Sequence, residues 1–330
     1  MILAGDIGGT LTRLAFFQAA GQRLRLIVKK IYSSREHSSL TGLVSRFAAE
    51  YGYPVEHAGF GIPGPVREGY AKTTNLPWIV DATELARELR LPEVWLINDL
   101  EANAHGLAAL DTGDFAILNE GSSDAAGNAA VIAAGTGLGE AGLYWDGARY
   151  HPFASEGGHA DFAPRNDLEI ELLRYLLGKY EHVSYERVVS GPGLHNIYLF
   201  LRDTGRGKES PQVADAMRDQ DPPTVISQAA LEGRCRLCMA ALDIFVSLYG
   251  AEAGNLALKI MATGGVYLGG GIAPKIVRKL KEPRFIETFT ARGRMKQLLE
   301  GMPVRVILNP DTPLLGAALY AERRASQIHQ

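Results

Sequence analysis

One arrangement occurs twice in this chain: an apolar strand, a turn of glycine and threonine, and an outgoing apolar strand. That repeat limits the folds open to it. The first copy is Leu3-Ala4-Gly5-Asp6-Ile7-Gly8-Gly9-Thr10-Leu11-Thr12-Arg13-Leu14-Ala15-Phe16-Phe17. The second is Ala129-Ala130-Val131-Ile132-Ala133-Ala134-Gly135-Thr136-Gly137-Leu138-Gly139-Glu140-Ala141-Gly142-Leu143-Tyr144-Trp145. Two strands joined by such a turn read as a β-hairpin. Successive backbone N–H groups there form an anion-binding concavity, and glycine lets another group approach the backbone closely. Each turn is either a phosphate cradle or a tight hairpin whose glycines serve only the turn. Asp6 could hold a metal ion directly or through water, since hard divalent cations prefer oxygen ligands. Arg13 adds a fixed positive charge nearby. Two such hairpins, each opening one half of the chain, suggest an internal duplication. They suggest a nucleotide clamped between two similar domains.

At 330 residues the chain is long enough for one large or two ordinary domains. A net charge of −3 gives no sign of a nucleic-acid partner. Cys235 and Cys238 have no second pair or nearby histidine, so they cannot build a four-ligand zinc site. They read as buried small residues on one helix face. So few cysteines fit a reducing cytoplasm. The beginning lacks the basic segment and apolar run of a signal peptide. No stretch of about 20 apolar residues is read as a membrane span. The expectation is a soluble cytoplasmic protein with no membrane partner.

Between the hairpins the pattern alternates. Residues 24–32 read as a strand, 40–50 as a helix and 57–62 as a strand ending at Pro63-Gly64-Pro65. Proline blocks continuation there, and the exposed backbone either lines a ligand site or is an ordinary strand exit. Asn75-Leu76-Pro77-Trp78 is irregular. Asp81-Ala82-Thr83-Glu84 looks like a capping box opening a helix over 83–89. Residues 94–97 form a buried strand that runs into Asn98-Asp99, followed by a helix from about 101 to 110. Ligands of open α/β sheets bind at the carboxyl ends of strands. An aspartate there can accept a proton from a substrate hydroxyl, or Asp99 or Asn98 simply caps the helix.

After the second hairpin comes Phe153-Ala154-Ser155-Glu156-Gly157-Gly158-His159-Ala160-Asp161-Phe162-Ala163-Pro164. Carboxylates accept hydrogen bonds from hydroxyls, and neutral histidine offers one donor and one acceptor. That chemistry suits a polyol such as a sugar. Metal binding through Glu156 and His159, or a tight turn with solvated charges, are the rivals. A helix is expected over 168–180. Glu186 is either a further hydroxyl acceptor or a solvated partner of Arg187. Residues 222–262 read as mostly helix. A buried strand at 266–268 ends in Gly269-Gly270-Gly271-Ile272, and a helix over 275–281 follows. That join suits an adenine or ribose site, and its helix N-terminus can attract phosphate; alternatively it only packs a helix against a strand. A strand at 304–308 and a helix at 313–325 complete the chain.

Taken in order, these motifs resemble the bacterial glucokinase family, within the sugar kinase, Hsp70 and actin superfamily. The matching residues are Gly5-Asp6-Ile7-Gly8-Gly9-Thr10 with Arg13, Ile97-Asn98-Asp99, Gly135-Thr136-Gly137-Leu138-Gly139, Glu156 through Pro164, Glu186 through Gly193, and Gly269-Gly270-Gly271-Ile272. The resemblance implies an α/β chain of two ribonuclease H-like domains, of the actin and hexokinase type, with the sugar in an interdomain cleft. The expected divisions are 1–110 with 313–330, and 111–312. It implies ATP-dependent phosphorylation of glucose at its 6-hydroxyl, with Asp99 as general base. Asn98, Glu156, His159 and Glu186 would hold sugar hydroxyls, and Pro63-Gly64 would border the sugar. Gly8-Gly9-Thr10 and Gly135-Thr136-Gly137 would hold phosphates, and Gly270-Gly271 would lie near the adenosine. Mg²⁺ would bridge phosphate oxygens with Asp6 in its outer shell. The resemblance also suggests a homodimer. A kinase for another hexose or an amino sugar, another phosphate donor, and a regulator that lost its chemistry are the alternatives. Two residues depart from the family pattern. Leu11 stands where asparagine is usual. Glu140 stands where a small apolar residue is common, and puts a negative charge near the phosphates, pointing away or bearing on Mg²⁺.

Overall fold

The computed structural model describes residues 1–21, 23–73 and 76–328. Asn75, in the irregular stretch before Trp78, lies outside them. The chain forms two compact units. One is Met1–Asp114 with the chain from Asn309 onward, and the other is Phe115–Leu308.

The first unit contains β1 (Ile2–Ile7), β2 (Leu11–Ala20), β3 (Arg23–Ser33), β4 (His57–Ile62), β5 (Val66–Arg67), β6 (Tyr70–Lys72), β7 (Ile79–Asp81) and β8 (Trp95–Asn98). Its main sheet runs β3-β2-β1-β4-β8, and β5-β6-β7 form a small separate sheet. The second unit contains β9 (Phe115–Asn119), β10 (Ala129–Ala134), β11 (Leu138–Trp145), β12 (Tyr150–Ser155), β13 (Gly265–Gly269) and β14 (Val304–Ile307), in the order β12-β11-β10-β13-β14-β9. The duplication expected from the hairpins is present in the topology. In each sheet an antiparallel meander, β1-β2-β3 or β10-β11-β12, continues on its other side into two parallel strands. Those are β4 and β8 in one unit and β13 and β14 in the other. Parallel neighbours require long crossovers, which here carry the helices.

Every residue of β1 and of β10 is buried, as a strand covered on both faces requires. In the first unit α1 (Leu40–Tyr51), α2 (Ala82–Leu89) and α3 (Asp99–Gly106) are joined by the C-terminal helix Thr312–Ile328. This last helix buries Leu314, Ala317, Ala318 and Ala321 against Ile2, Ala4 and Trp95. The second unit carries α4 (Asp167–Leu177), α5 (Gly191–Asp203), α6 (Pro211–Asp219), α7 (Pro222–Leu231) and α8 (Arg236–Ile260). By length and composition α8 could cross a membrane, which corrects the expectation that no such stretch exists. It is instead the core helix of this unit, with Leu242, Phe245, Val246 and Tyr249 wholly enclosed. Cys235 and Cys238 are buried free thiols at its start; the Sγ of Cys235 accepts the Cys238 N–H.

The C-terminal helix touches α3 and β4 almost backbone to backbone. A methyl group on Gly316 would overlap the carbonyl oxygen of Ala102, and one on Gly106 would overlap that of Thr312. Small residues at the crossing therefore set how closely α3 can approach. Neither neighbour is a flexible side chain that could give way. Gly316→Ala should cost about 1–3 kcal/mol through overpacking, read as a lowered midpoint in urea unfolding. An unchanged midpoint would show that the contact can relax.

Candidate functional site

In the first unit the residues singled out from sequence gather at one edge of the sheet, the carboxyl ends of the parallel strands β1, β4 and β8. Gly8-Gly9-Thr10 follow β1, Pro63-Gly64 follow β4, and Asp99 follows β8. The first turn closes when the Gly8 N–H donates to the Leu11 carbonyl at 2.9 Å. Ser34 braces it from beneath. Its Oγ donates to the Gly8 carbonyl at 2.7 Å, its N–H donates to the Thr10 carbonyl, and Oγ also meets the buried Thr12 hydroxyl. Leu11, which stands where asparagine is usual, is exposed, and its carbonyl closes the turn.

Asp6 and Arg13 are opposite each other in the β1–β2 register and form an ion pair at 2.6 Å. Burial pushes the Asp6 carboxyl up from its ordinary value, and Arg13 opposes that shift. With one oxygen engaged by arginine, Asp6 is a poor direct metal ligand. Among the described residues no cluster of three or more His, Cys, Asp or Glu could hold a metal ion. This donor set does fit Mg²⁺ held chiefly by nucleotide phosphates and water, the usual manner for that ion.

The strand-to-helix join at β8 and α3 is built by a reciprocal cap. Asn98 Oδ1 accepts the Leu100 and Glu101 N–H groups at 2.8 and 3.4 Å, and Glu101 accepts the Asn98 backbone N–H. Asn98 is thus the cap, and the helix starts at Asp99 rather than near 101. Asn98 Nδ2 donates to the Gly64 carbonyl at 3.1 Å, which ties the ends of β4 and β8 together. Asp99 is the first helical residue. It is half-buried, and its Oδ1 accepts the Leu100 N–H at 2.9 Å. A carboxylate in this position complements the helix dipole.

In the second unit a different set assembles around the start of β11. The Gly135 N–H closes the second turn onto the Gly137 carbonyl at 2.8 Å. The Gly135 carbonyl accepts the Gly191 N–H at the head of α5, and the Ala134 carbonyl accepts that of Ile272. The loop after β13 is thereby held against the loop after β10. Gly270 has φ +77°, and a methyl there would strike the Ala134 carbonyl, so only glycine suits the position. The helix expected over 275–281 is a single turn, Val277–Leu280, preceded by turns, which leaves little dipole to attract phosphate.

Leu138 is the meeting point of the sugar-type residues. Its N–H donates to Glu186 Oε2 at 3.0 Å. Its carbonyl lies so close beneath Gly158 that a methyl group on Gly158 would overlap it. Glu186 is therefore not a solvated partner of Arg187, whose guanidinium lies over the Tyr180 ring at 4.3 Å. The Phe162 N–H to Val183 carbonyl and Tyr185 N–H to Ala160 carbonyl bonds hold the two segments side by side. Glu156 and His159 stand exposed on a short 3₁₀ turn, 4.0 Å apart. Asp161 pairs with His182 at 2.7 Å.

Glu140 does not project toward the phosphate turn. It is 1% exposed, and its Oε2 lies directly below Gly157, where a methyl group would overlap it. Beside it is Glu252 of α8, which is 0% exposed. Burial, then the Glu252 charge, pushes the Glu140 carboxyl up to about 8, so it is largely protonated at neutral pH. Of the two readings open for Glu140, pointing away is the one this burial beneath Gly157 agrees with. Ser34 and Glu252 carry no signal in the sequence, whereas the Asn98-x-x-Glu101 capping box is readable there.

The glucokinase family model matches residues 3–324. A glucokinase of Nostoc punctiforme is 44% identical over 338 residues, which cover 98% of this chain and 99% of that protein. The crystal structure of a glucokinase from an Antarctic psychrotroph aligns at TM-score 0.83 with 31% identity, covering 98% of each chain. A ROK family glucokinase from Streptomyces griseus, in complex with glucose and AMPPNP, aligns at TM-score 0.68 with 21% identity over 98% of this chain and 99% of that one. At that identity the likeness shows the fold alone. This chain belongs to the glucokinase family, the ATP-dependent kinases of glucose.

Proposed function

We propose that Asp99 is the general base that takes the proton of the glucose 6-hydroxyl as its oxygen attacks the γ-phosphorus of ATP. The new O–P bond forms as the bond to the bridging oxygen breaks, and ADP leaves. The observation that carries this reading is a carboxylate fixed at the head of α3 by the Asn98–Glu101 cap, at the carboxyl end of β8. Phosphoryl transfer depends on positioning and charge neutralisation more than on covalent chemistry. A side chain held by its own helix start meets that requirement.

Glu156, His159 and Glu186 hold the other hydroxyls, with Pro63-Gly64 bordering the sugar. Asn98 contributes less than a free amide would. Its Oδ1 serves α3 and one amide hydrogen serves Gly64, so a single N–H remains for the sugar. Backbone N–H groups of the Gly8-Gly9-Thr10 and Gly135-Thr136-Gly137 turns bind phosphates, and Gly270-Gly271 lie near adenosine. AMPPNP, the nucleotide in the Streptomyces griseus complex, is an ATP analogue, which supports ATP as donor. Asp6, held in place by Arg13, would be the outer-shell residue for Mg²⁺, which would supply neutralisation of phosphate charge. The reaction is cytoplasmic, and the enzyme acts on its two small substrates, as a homodimer on the family's pattern.

Asp99→Asn should reduce kcat by about 10²–10⁴-fold, the usual worth of a general base, with the glucose Kd little changed. A coupled assay beside titration calorimetry measures both, and near-normal turnover would remove Asp99 from the role. Asn98→Ala should lose about 1 kcal/mol of stability with its cap and raise KM for glucose. Asn98→Asp keeps the cap acceptor but loses both amide hydrogens and sets a carboxylate oxygen against the Gly64 carbonyl, so it should recover only the cap's share of the stability and not the KM. If Asn98→Asp restores both, the amide has no part in sugar binding.

A further inference from the structure

Two glutamates that no step above uses are enclosed directly beneath the sugar-holding segments. Glu140 on β11 and Glu252 on α8 interact with each other, and among the described residues neither Glu140 Oε1 nor Glu252 Oε1 has a hydrogen-bond partner. Two ionised carboxylates side by side in an enclosed site repel, and neither could donate a hydrogen bond. One proton between them removes both difficulties. The surroundings then balance what remains. Lys259 Nζ lies 3.7 Å from Glu252 Oε1, Asn255 Nδ2 donates to Glu252 Oε2 at 2.8 Å, and the Tyr185 hydroxyl also hydrogen-bonds Glu252. Arg292 lies within electrostatic reach of Glu252, and the buried Tyr249 hydroxyl lies within reach of Glu140.

The pair touches both segments assigned to the sugar. On one side Glu140 lies against Gly157, between Glu156 and His159 in sequence. On the other side Glu252 holds Tyr185, the neighbour of Glu186. We propose that Glu140 and Glu252 share a single proton and act as positioning residues, seating the Glu156–His159 turn and the Glu186 segment for sugar binding. The proposal rests on the reading that these segments hold sugar. Glu140 donates the shared proton to Glu252, and Lys259 faces the remaining negative charge. When the proton leaves, two buried carboxylates stand side by side, with Lys259 and Arg292 both on the Glu252 side. Repulsion then pushes against Gly157, and the turn above it shifts.

The sign of the pH dependence follows. The Glu140 carboxyl is raised from 4.5 to about 8 in the fold, and Glu252 is also raised. The stabilisation it gives is complete below about 4.5 and is lost as pH rises through about 8. Glucose affinity should fall in the same direction, by up to about tenfold for each pH unit above that point, the limit for one proton.

The test compares full-length wild type, E140Q and E252Q, with Glu156→Ala as a control. A glutamine at either position keeps the shape; E140Q removes the titrating carboxyl, while E252Q removes the Glu252 charge and leaves Glu140 enclosed. Melting temperature without ligand, glucose Kd by calorimetry, and kcat at saturating glucose are each followed against pH. Wild type should lose melting temperature progressively from about pH 4.5 to about 8 and glucose affinity above about 8, and E140Q should lack both losses, while the two keep the same kcat profile. Should E140Q fail to fold, E252Q provides the comparison, with both losses moved to lower pH because the Glu252 charge no longer holds the Glu140 carboxyl up. Identical pH dependence of melting and Kd in the glutamine variants and wild type would overturn the proposal. If Glu156→Ala binds glucose as wild type does, the sugar assignment itself is wrong and the proposal falls with it. If Glu156→Ala weakens binding but the glutamine variants keep the wild-type slope, the sugar assignment stands and only the shared proton is refuted.

Discussion

The backbone of Leu138 is the constraint on which the second unit's chemistry rests. Its N–H is taken by Glu186, and its carbonyl crowds Gly158. A strand that begins at Leu138 therefore fixes a carboxylate on one side and a Gly-Gly turn on the other. The turn can lie so low only because neither glycine carries a β-carbon. A side chain at Gly158 would meet backbone, which cannot swing aside as a side chain can. Among the described residues no hydrogen bond anchors the Glu156 or His159 side chain to the core, so the close backbone approach is what positions them.

The two units reuse one topology with different bracing. In the first, the turn after β1 is held from below by a side chain, Ser34. In the second, the turn after β10 is held by backbone, through Gly191 and Ile272. The contrast follows from what lies next to each turn. The first has the end of β3 beside it, and a strand end offers a serine. The second has two loops and the head of α5, whose N–H groups lack partners within the helix and seek carbonyls outside it. Either route satisfies the turn's inward face from within its own unit.

Much of this is legible in the sequence because strand periodicity and turn chemistry are local. Both hairpins, the parallel strands and the placement of Asp99 at a strand end rest on residues close together in the chain. The edge strands β9 and β12 escape such a reading, since half-exposed residues such as Phe153 and Pro152 blur their alternation. The start of α3 falls two residues earlier than its apolar pattern suggests, because the Asn98 amide serves the helix as its cap. Glu186 defeats a local reading for a different reason. Its partner is a backbone N–H 48 positions away, and nothing beside it in the chain points there.

Glu140 shows the same limit most sharply. A glutamate next to a glycine-rich turn reads as a charge, because charged residues are almost never fully enclosed unless paired. Its partner is Glu252, in a helix apolar enough to pass for a membrane span. An uncompensated buried charge costs about 3–5 kcal/mol when its partner is removed, whereas an ordinary hydrogen bond contributes about 0.5–1.5 kcal/mol. The cost of the unpaired charge therefore decides the protonation state, so one carboxyl holds its proton and the pair behaves as a neutral donor beside a single anion. Lys259 and Arg292 both face Glu252, so among the described residues a second negative charge on Glu140 has no cation of its own beside it. An enclosed acid pair of this kind is tolerable in a core only while it holds that proton, and here the backbone resting on it is the backbone that carries Glu156.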